Sequence, residues 1–218
     1  MNFLEPSQRI SAEARYALQL VGFSTGCAGF LLSMVTMSQP DWRLWLIKKT
    51  SVYSTGIARV GIWQICFPPY LNASDKSHTL CCHRFTFFEK FLPVEMKLGQ
   101  ILIVAASLFA FWGLLFSFAS PWNFLYLTMT HIRAWWLFMA GGIFYVISGI
   151  CIFVPISWNV YSVSVNASIR FPESFHLPLR PTAQRNGGAI YLGYTSGALL
   201  LTSGICLIVL RSEILMSV

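Results

Sequence analysis

The sequence predicts an all-α membrane protein, a four-transmembrane-helix bundle with a small β-structure in its largest loop. Three observations predict it. Only 11% of the 218 residues are charged and 56% are hydrophobic, whereas a soluble domain carries about 25% charged residues. Four long runs contain no Asp, Glu, Lys, Arg or His. One polar loop combines aromatic and β-branched residues with Cys66, Cys81 and Cys82.

The four runs cover about 16–38, 98–120, 134–154 and 187–210. Each matches the roughly 20 apolar residues needed to cross a hydrocarbon core of about 30 Å. The first is too long for the apolar core of a signal peptide and lacks a convincing A-x-A cleavage site, so it is expected to be retained. No fixed-period repeat is visible. The runs leave a head (1–15), loops at about 39–97, 121–133 and 155–186, and a tail (211–218), all expected within one domain over 1–218. Four spans place both termini on one side and the first and third loops on the other. Gly22-x-x-x-Gly26 followed by Gly29, Gly141-Gly142 and Gly193-x-x-x-Gly197 are expected to let helices approach closely within the bundle.

Several function classes are excluded. The formal charge is +7, but the basic residues lie in loops, with no helix or stripe to follow a phosphate backbone, so no nucleic-acid partner is expected. A transport path through the bundle would need ionisable residues inside the spans, and the runs have none. There is no C-x-x-C, H-E-x-x-H or G-x-S-x-G, so no catalytic residue is expected and the chain is not read as an enzyme. Cys81-Cys82-His83 could form half of a metal site. The four histidines, His78, His83, His131 and His176, supply no partner at ligand spacing, so neither metal nor cofactor is expected.

Sidedness is contested. The first loop holds Arg43, Lys48, Lys49, Arg59, Lys76, Arg84, Lys90 and Lys97, and the third holds Arg170, Arg180 and Arg185. The opposite side has Arg9, Arg15, Arg133 and Arg211. The positive-inside bias would therefore put the large loops in the cytosol, although the first loop is near the length at which that bias lapses. Two signals oppose it. The sequons Asn72-Ala73-Ser74 and Asn166-Ala167-Ser168 fall on one face of the membrane. Loop cysteines beside a sequon also point to an oxidising compartment and a disulfide. Cys27, Cys151 and Cys206 lie inside spans and read as packing residues. The large loops are therefore expected outside a plasma membrane, with both termini cytoplasmic and with Asn72 and Asn166 glycosylated.

In the first loop, residues 42–47 and 60–66 read as short strands. Pro68-Pro69 ends the second, because proline cannot donate to a ladder, and 78–88 could return as another strand. A bridge from Cys66 to Cys81 or Cys82 would close a loop of about 15 residues, worth roughly 3 kcal/mol in the chain-entropy picture. A hairpin without such support is marginal in water.

Trp42, then Gly61-Ile62-Trp63, then Cys66 and a later Cys81/Cys82 resembles the first-loop signature of the claudin and PMP22-like four-span superfamily. That signature reads Trp, Gly-Leu-Trp, two residues, Cys, and a further Cys. AGGIFYVISGICIFVPISW (140–158) looks like the claudin third span running into Ser-Trp, and GGAIYLGYTSGALLLTSGICLIVL (187–210) is similar to the fourth. Departures are Ile62 in place of leucine, a long Cys66-to-Cys82 separation carrying Asn72, an apolar second loop with Pro121-Trp122, and a short tail. The chain is identified as a divergent claudin. The resemblance implies an extracellular β-structure drawn from loops 1 and 3 and a Cys66–Cys82 bridge, because CHRF after Cys82 matches the family best. Cys81 stays open as the alternative partner.

The resemblance also implies a tight-junction structural and adhesion protein that contacts membrane lipid. It would associate with itself and with other claudin-like proteins, laterally and across cell contacts, to seal or charge-select the paracellular space. Calcium-channel gamma-like relatives share the first-loop signature, so an auxiliary channel or receptor subunit is the alternative. In related claudins, charge beside the second loop cysteine influences ion preference; the matching positions here are His83 and Arg84, and the basic loop implies a path that disfavours cations. Met216-Ser217-Val218 ends in an apolar residue of the kind PDZ domains accept by β-augmentation. With Arg211 at the membrane edge, such scaffold binding is expected to be weak or absent.

Overall fold

The computed structural model describes residues 12–48, 56–67, 81–125, 131–175, 177, 178 and 180–216. Four long helices dominate: α1 (Ala12–Ser38), α2 (Val94–Leu125), α3 (His131–Ser164) and α4 (Gly188–Met216). Each contains a stretch long and apolar enough to cross a membrane, at Ala17–Ser38, Val94–Ala119, Trp136–Ser164 and Gly188–Val209.

The helices outrun the apolar runs at several ends. α2 begins at Val94, where the Pro93 carbonyl accepts from the amides of Met96 and Lys97. α3 does not stop at 154 but continues to Ser164 with Pro155 in its interior. Proline removes one helical hydrogen bond and usually kinks or ends a helix, yet spanning helices tolerate it where neighbours fill in around it. Here Pro155 is buried against Gly99, at which an added Cβ would lie 3.5 Å from the proline Cβ. α4 carries on past 210, so 211–216 are helical, while Ser217 and Val218 lie outside the described residues.

The chain divides into two compact units, and each draws on all four helices. The first comprises Met1–Leu31, Ala106–Ile150 and Ser196–Val218. Without a hydrophobic drive between helices in lipid, close packing depends on small residues and interhelical hydrogen bonds. A Cβ on Gly26 would fall 2.5 Å from the Tyr145 ring and one on Gly113 would fall 2.8 Å from it. Tyr145 therefore occupies a slot left by two glycines, with its hydroxyl 3.3 Å from Ser117. Ser148 donates to the Ala106 carbonyl at 2.7 Å, Ser196 to Gly29 at 2.8 Å and Ser203 to Gly22 at 2.5 Å. Gly142 faces the Gly204 carbonyl, and Gly149 faces Leu201.

The second unit comprises Leu32–Ala105 and Cys151–Thr195. It holds a five-stranded antiparallel sheet of β1 (Arg43–Ile47), β2 (Gly56–Val60), β3 (Gln64–Phe67), β4 (Cys81–Arg84) and β5 (Ala183–Asn186). The spatial order is β4-β3-β2-β1-β5, so the third loop supplies one edge strand. The run 60–66 is not one strand. It breaks at 61–63, where the Gly61 amide donates to the Gln64 carbonyl at 2.9 Å and turns the chain from β2 into β3. Of the expected return strand, 78–80 lie outside the described residues, Cys81–Arg84 forms β4, and 85–88 are not strand. Side chains alternate across a strand, and β1 turns Arg43, Trp45 and Ile47 inward. Trp45, Ile47, Ala58, Val60, Ile65 and Phe67 meet Phe85, Leu92, Met96 and Ile169 in one core.

Candidate functional site

The Trp–Gly-Ile-Trp–Cys signature is built into the foot of this sheet. Trp42 is buried, and its indole N–H donates to the Thr36 carbonyl at the end of α1, 3.0 Å away. At Gly61 an added Cβ would sit 2.8 Å from the Pro40 Cα and 3.0 Å from the Gln39 carbonyl oxygen. Backbone on one side and a tight turn on the other leave room only for glycine. Ile62 is buried in the turn, and its carbonyl accepts from the Gln100 amide of α2 at 2.6 Å. The Trp63 carbonyl accepts from the Phe85 amide at 2.9 Å, fixing the chain as it leaves β4.

Arg43, next to Trp42, is 1% exposed. Its Nε donates to Asn159 Oδ1 at 2.5 Å, and Asn159 Nδ2 donates to the Trp42 carbonyl at 3.2 Å. Glu95 lies 3.8 Å from Nη2. Burial holds the Arg43 guanidinium below its usual range, and the Glu95 carboxylate pulls the other way. The guanidinium remains charged, because arginine starts from far above neutral pH. A buried cation is tolerable only when paired and hydrogen-bonded, and here α3 and α2 supply those partners to β1. Nη1 and Nη2 have no hydrogen-bond partner among the described residues, so the anchoring of the sheet by this charge rests on the Nε bond to Asn159 and the Glu95 ion pair.

Cys66 and Cys82 stand opposite each other in the β3–β4 register and are joined by a disulfide with their Cα atoms 4.1 Å apart. That spacing is near the roughly 4.5 Å of a close antiparallel pair. Cys81 is a free, exposed thiol beside the bridge. Among the described residues β4 is the edge strand opposite β5, and all four of its residues are exposed.

The same register sorts the charges onto faces. Leu44 pairs with Arg59 on one side and Arg185 on the other, and Gln64 pairs with Arg84. All three arginines therefore lie on the face turned away from the core. His83 pairs with Ile65 and so lies on the core side, with its ring 5.7 Å from Phe67 and 5.0 Å from Phe175. Arg84 and His83, adjacent in sequence, point to opposite faces. Among the described residues no strand of the sheet contains Asp or Glu. Asp41 lies 3.5 Å from Arg59, a partly exposed pair of a kind worth at most about 1 kcal/mol.

A family profile described as PMP-22/EMP/MP20/Claudin tight junction matches residues 27–209. The chain belongs to this family. Claudin-2 of Canis lupus familiaris is 26% identical to it over 196 residues, covering 89% of this chain and 78% of that protein. Claudin-3 of Mus musculus is 26% identical over 189 residues, covering 86% and 79%. Claudin-6 of Homo sapiens is 25% identical over 193 residues, covering 88% and 80%. These identities belong to a divergent claudin-family chain.

Of the residues singled out in this claudin-family sequence, Trp42, Gly61, Ile62, Trp63, Cys66 and Cys82 converge at the sheet, where the first four shape its foot and its turn and the last two form its bridge. The sequon at Asn72 and residues Lys49, Lys76, His78 and His176 lie outside the described residues. Asn166 is exposed with φ of 51° and closes α3. Its amide donates to the Val163 carbonyl at 3.1 Å and the Ala167 amide donates to Ser162 at 2.9 Å, the paired bonds of a Schellman cap with Asn in the left-handed position. Sequence reasoning missed Asn159, Glu95 and Gln100. Their only signal was polarity inside or beside apolar runs.

Proposed function

We propose that this protein is a tight-junction claudin whose first and third loops face the extracellular space. They associate with like chains in the same membrane and across the contact, and the outward sheet face lines a paracellular path that disfavours cations. Family membership supports the coarser part: a multi-pass membrane protein of the junction type, among structural proteins rather than enzymes. One observation carries the finer part. Arg59, Arg84 and Arg185 come from three different strands onto one face of a sheet whose described strands hold no carboxylate. Positive side chains at a constriction favour anions, because their field acts in a confined and partly desolvated space. Over open solvent the same charges would be screened within about 8 Å at physiological salt.

The sequons belong to this reading. Asn72 carries a glycan on the outer side. Asn166, in the same orientation, also serves as a helix cap.

The test is expression in epithelial cells that form no strands of their own. Enrichment where two expressing cells meet, with dilution potentials shifted toward chloride, is the expected result. Trafficking that depends on a channel partner, with no contact enrichment, would overturn the reading in favour of an auxiliary subunit.

A further inference from the structure

The sheet edge holds three cysteines where one bridge needs two. Cys66 on β3 faces Cys82 on β4, Phe67 faces Cys81, and Cys81 is a free exposed thiol. Successive residues of a strand point to opposite faces, so the Cys81 sulfur lies across β4 from the bridge and cannot reach Cys66 while the register holds. A one-residue slip moves every side chain of a strand to its other face. Such a slip would bring Cys81 opposite Cys66 and turn Cys82 toward the core side.

β4 is placed for that slip. Among the described residues it pairs with β3 alone, over four residues, and none of the four is buried. Its downstream end is pinned, because Phe85 is buried and its amide donates to Trp63. The extra residue must therefore be absorbed between 82 and 85. His83 and Arg84 would then oppose the single residue Gln64, and two residues against one is the definition of a β-bulge, a feature enriched at sheet edges. The slipped form loses the stacking of His83 with Phe67 and Phe175, which makes it the minor one.

We propose that Cys66–Cys82 is one of two bridges this chain makes, and that it exchanges internally with Cys66–Cys81 as β4 slips by one residue. The Cys81 thiolate attacks the Cys66 sulfur. The Cys66–Cys81 bond forms as the Cys66–Cys82 bond breaks, and Cys82 leaves as a thiolate that takes up a proton equivalent to the one Cys81 released. One disulfide and one thiol exist before and after, so no oxidant or reductant is consumed. Because the bulge re-aims Arg84, the identity of the bridge sets which charge the outer face presents there. The exchange itself does not depend on the paracellular reading.

The test maps the bridge in the full-length protein held in nanodiscs. After incubation at pH 8 the free thiol is alkylated, the protein is digested without reduction, and the label is located between Cys81 and Cys82 by fragmentation. The expected result is a labelled Cys82 in about 1–10% of molecules, the range of an accessible minor state, falling to background when Cys81 is alkylated before the incubation. Label found only on Cys81 overturns the proposal. A Cys82→Ser variant gives a second reading. A Cys66–Cys81 bridge supports the proposal, and a Cys66 that alkylates freely in folded, surface-delivered protein overturns it.

Discussion

The two compact units hold themselves together by opposite means. In the helical unit of Tyr145, the decisive contacts exist because atoms are missing: Gly26 and Gly113 leave the slot that the ring fills. In the sheet unit, the decisive contacts are made by side chains that must be completed by partners on other elements. Arg43 needs Asn159 and Glu95, Trp42 needs the Thr36 carbonyl, and Cys66 needs Cys82. The first unit should be sensitive to added volume and the second to lost partners.

Arg43→Ala should break that contrast most severely. It leaves Glu95 without its ion pair and Asn159 without its acceptor role, and removing one partner of a buried pair costs about 3–5 kcal/mol. Thermal unfolding in detergent micelles should show a large drop in midpoint; a loss under about 1 kcal/mol would mean the cluster is not closed. Cys66→Ser removes the shared partner of both possible bridges and should cost about 2–5 kcal/mol. Non-reducing gels together with surface biotinylation would check it, and normal surface delivery would count against a stabilising bridge.

Gly26→Val tests the other unit. Its added atoms meet the Tyr145 ring, and overpacking of this kind typically costs about 1–3 kcal/mol. Tyr145→Ala in the same chain should recover part of that loss, while additive losses would show that the two residues do not share a slot. The smallest effect belongs to the cap. Asn166→Ala should cost up to about 1 kcal/mol, because alanine lacks the short polar side chain that lets Asn tolerate the left-handed region, whereas Asn166→Gly, free of a Cβ there, should be close to neutral. Because both variants remove the sequon, a difference in melting between them isolates the cap from any glycan.

The sequence made the helical unit far more legible than the sheet. Uncharged runs announce spans directly, since every charge in them would have to be desolvated. The third run was bounded at 154, whereas α3 continues to Ser164 past Pro155, whose packing beside Gly99 no local pattern reveals. β2 was invisible because Gly56, Ala58 and Arg59 are poor strand formers, and this strand is held by pairing with β1 and β3 on both sides. Arg43 looked like one more loop charge. Its burial depends on Asn159, 116 positions away, and no local pattern encodes that pairing. His83 and Arg84 were legible as neighbours beside the second loop cysteine but not as residues on opposite faces, because that distinction follows from the β3–β4 register.

That last distinction offers the most direct test of the central claim, that the face of the sheet turned away from the core is the one that meets the ions. Arg84→Asp and His83→Asp would be compared as dilution potentials across epithelial monolayers, with each protein verified at cell contacts. Arg84→Asp should shift permeability toward sodium, and His83→Asp, on the core side against Phe67 and Phe175, should shift it much less. Equal shifts from both, or no shift from Arg84→Asp in protein still present at contacts, would contradict the account.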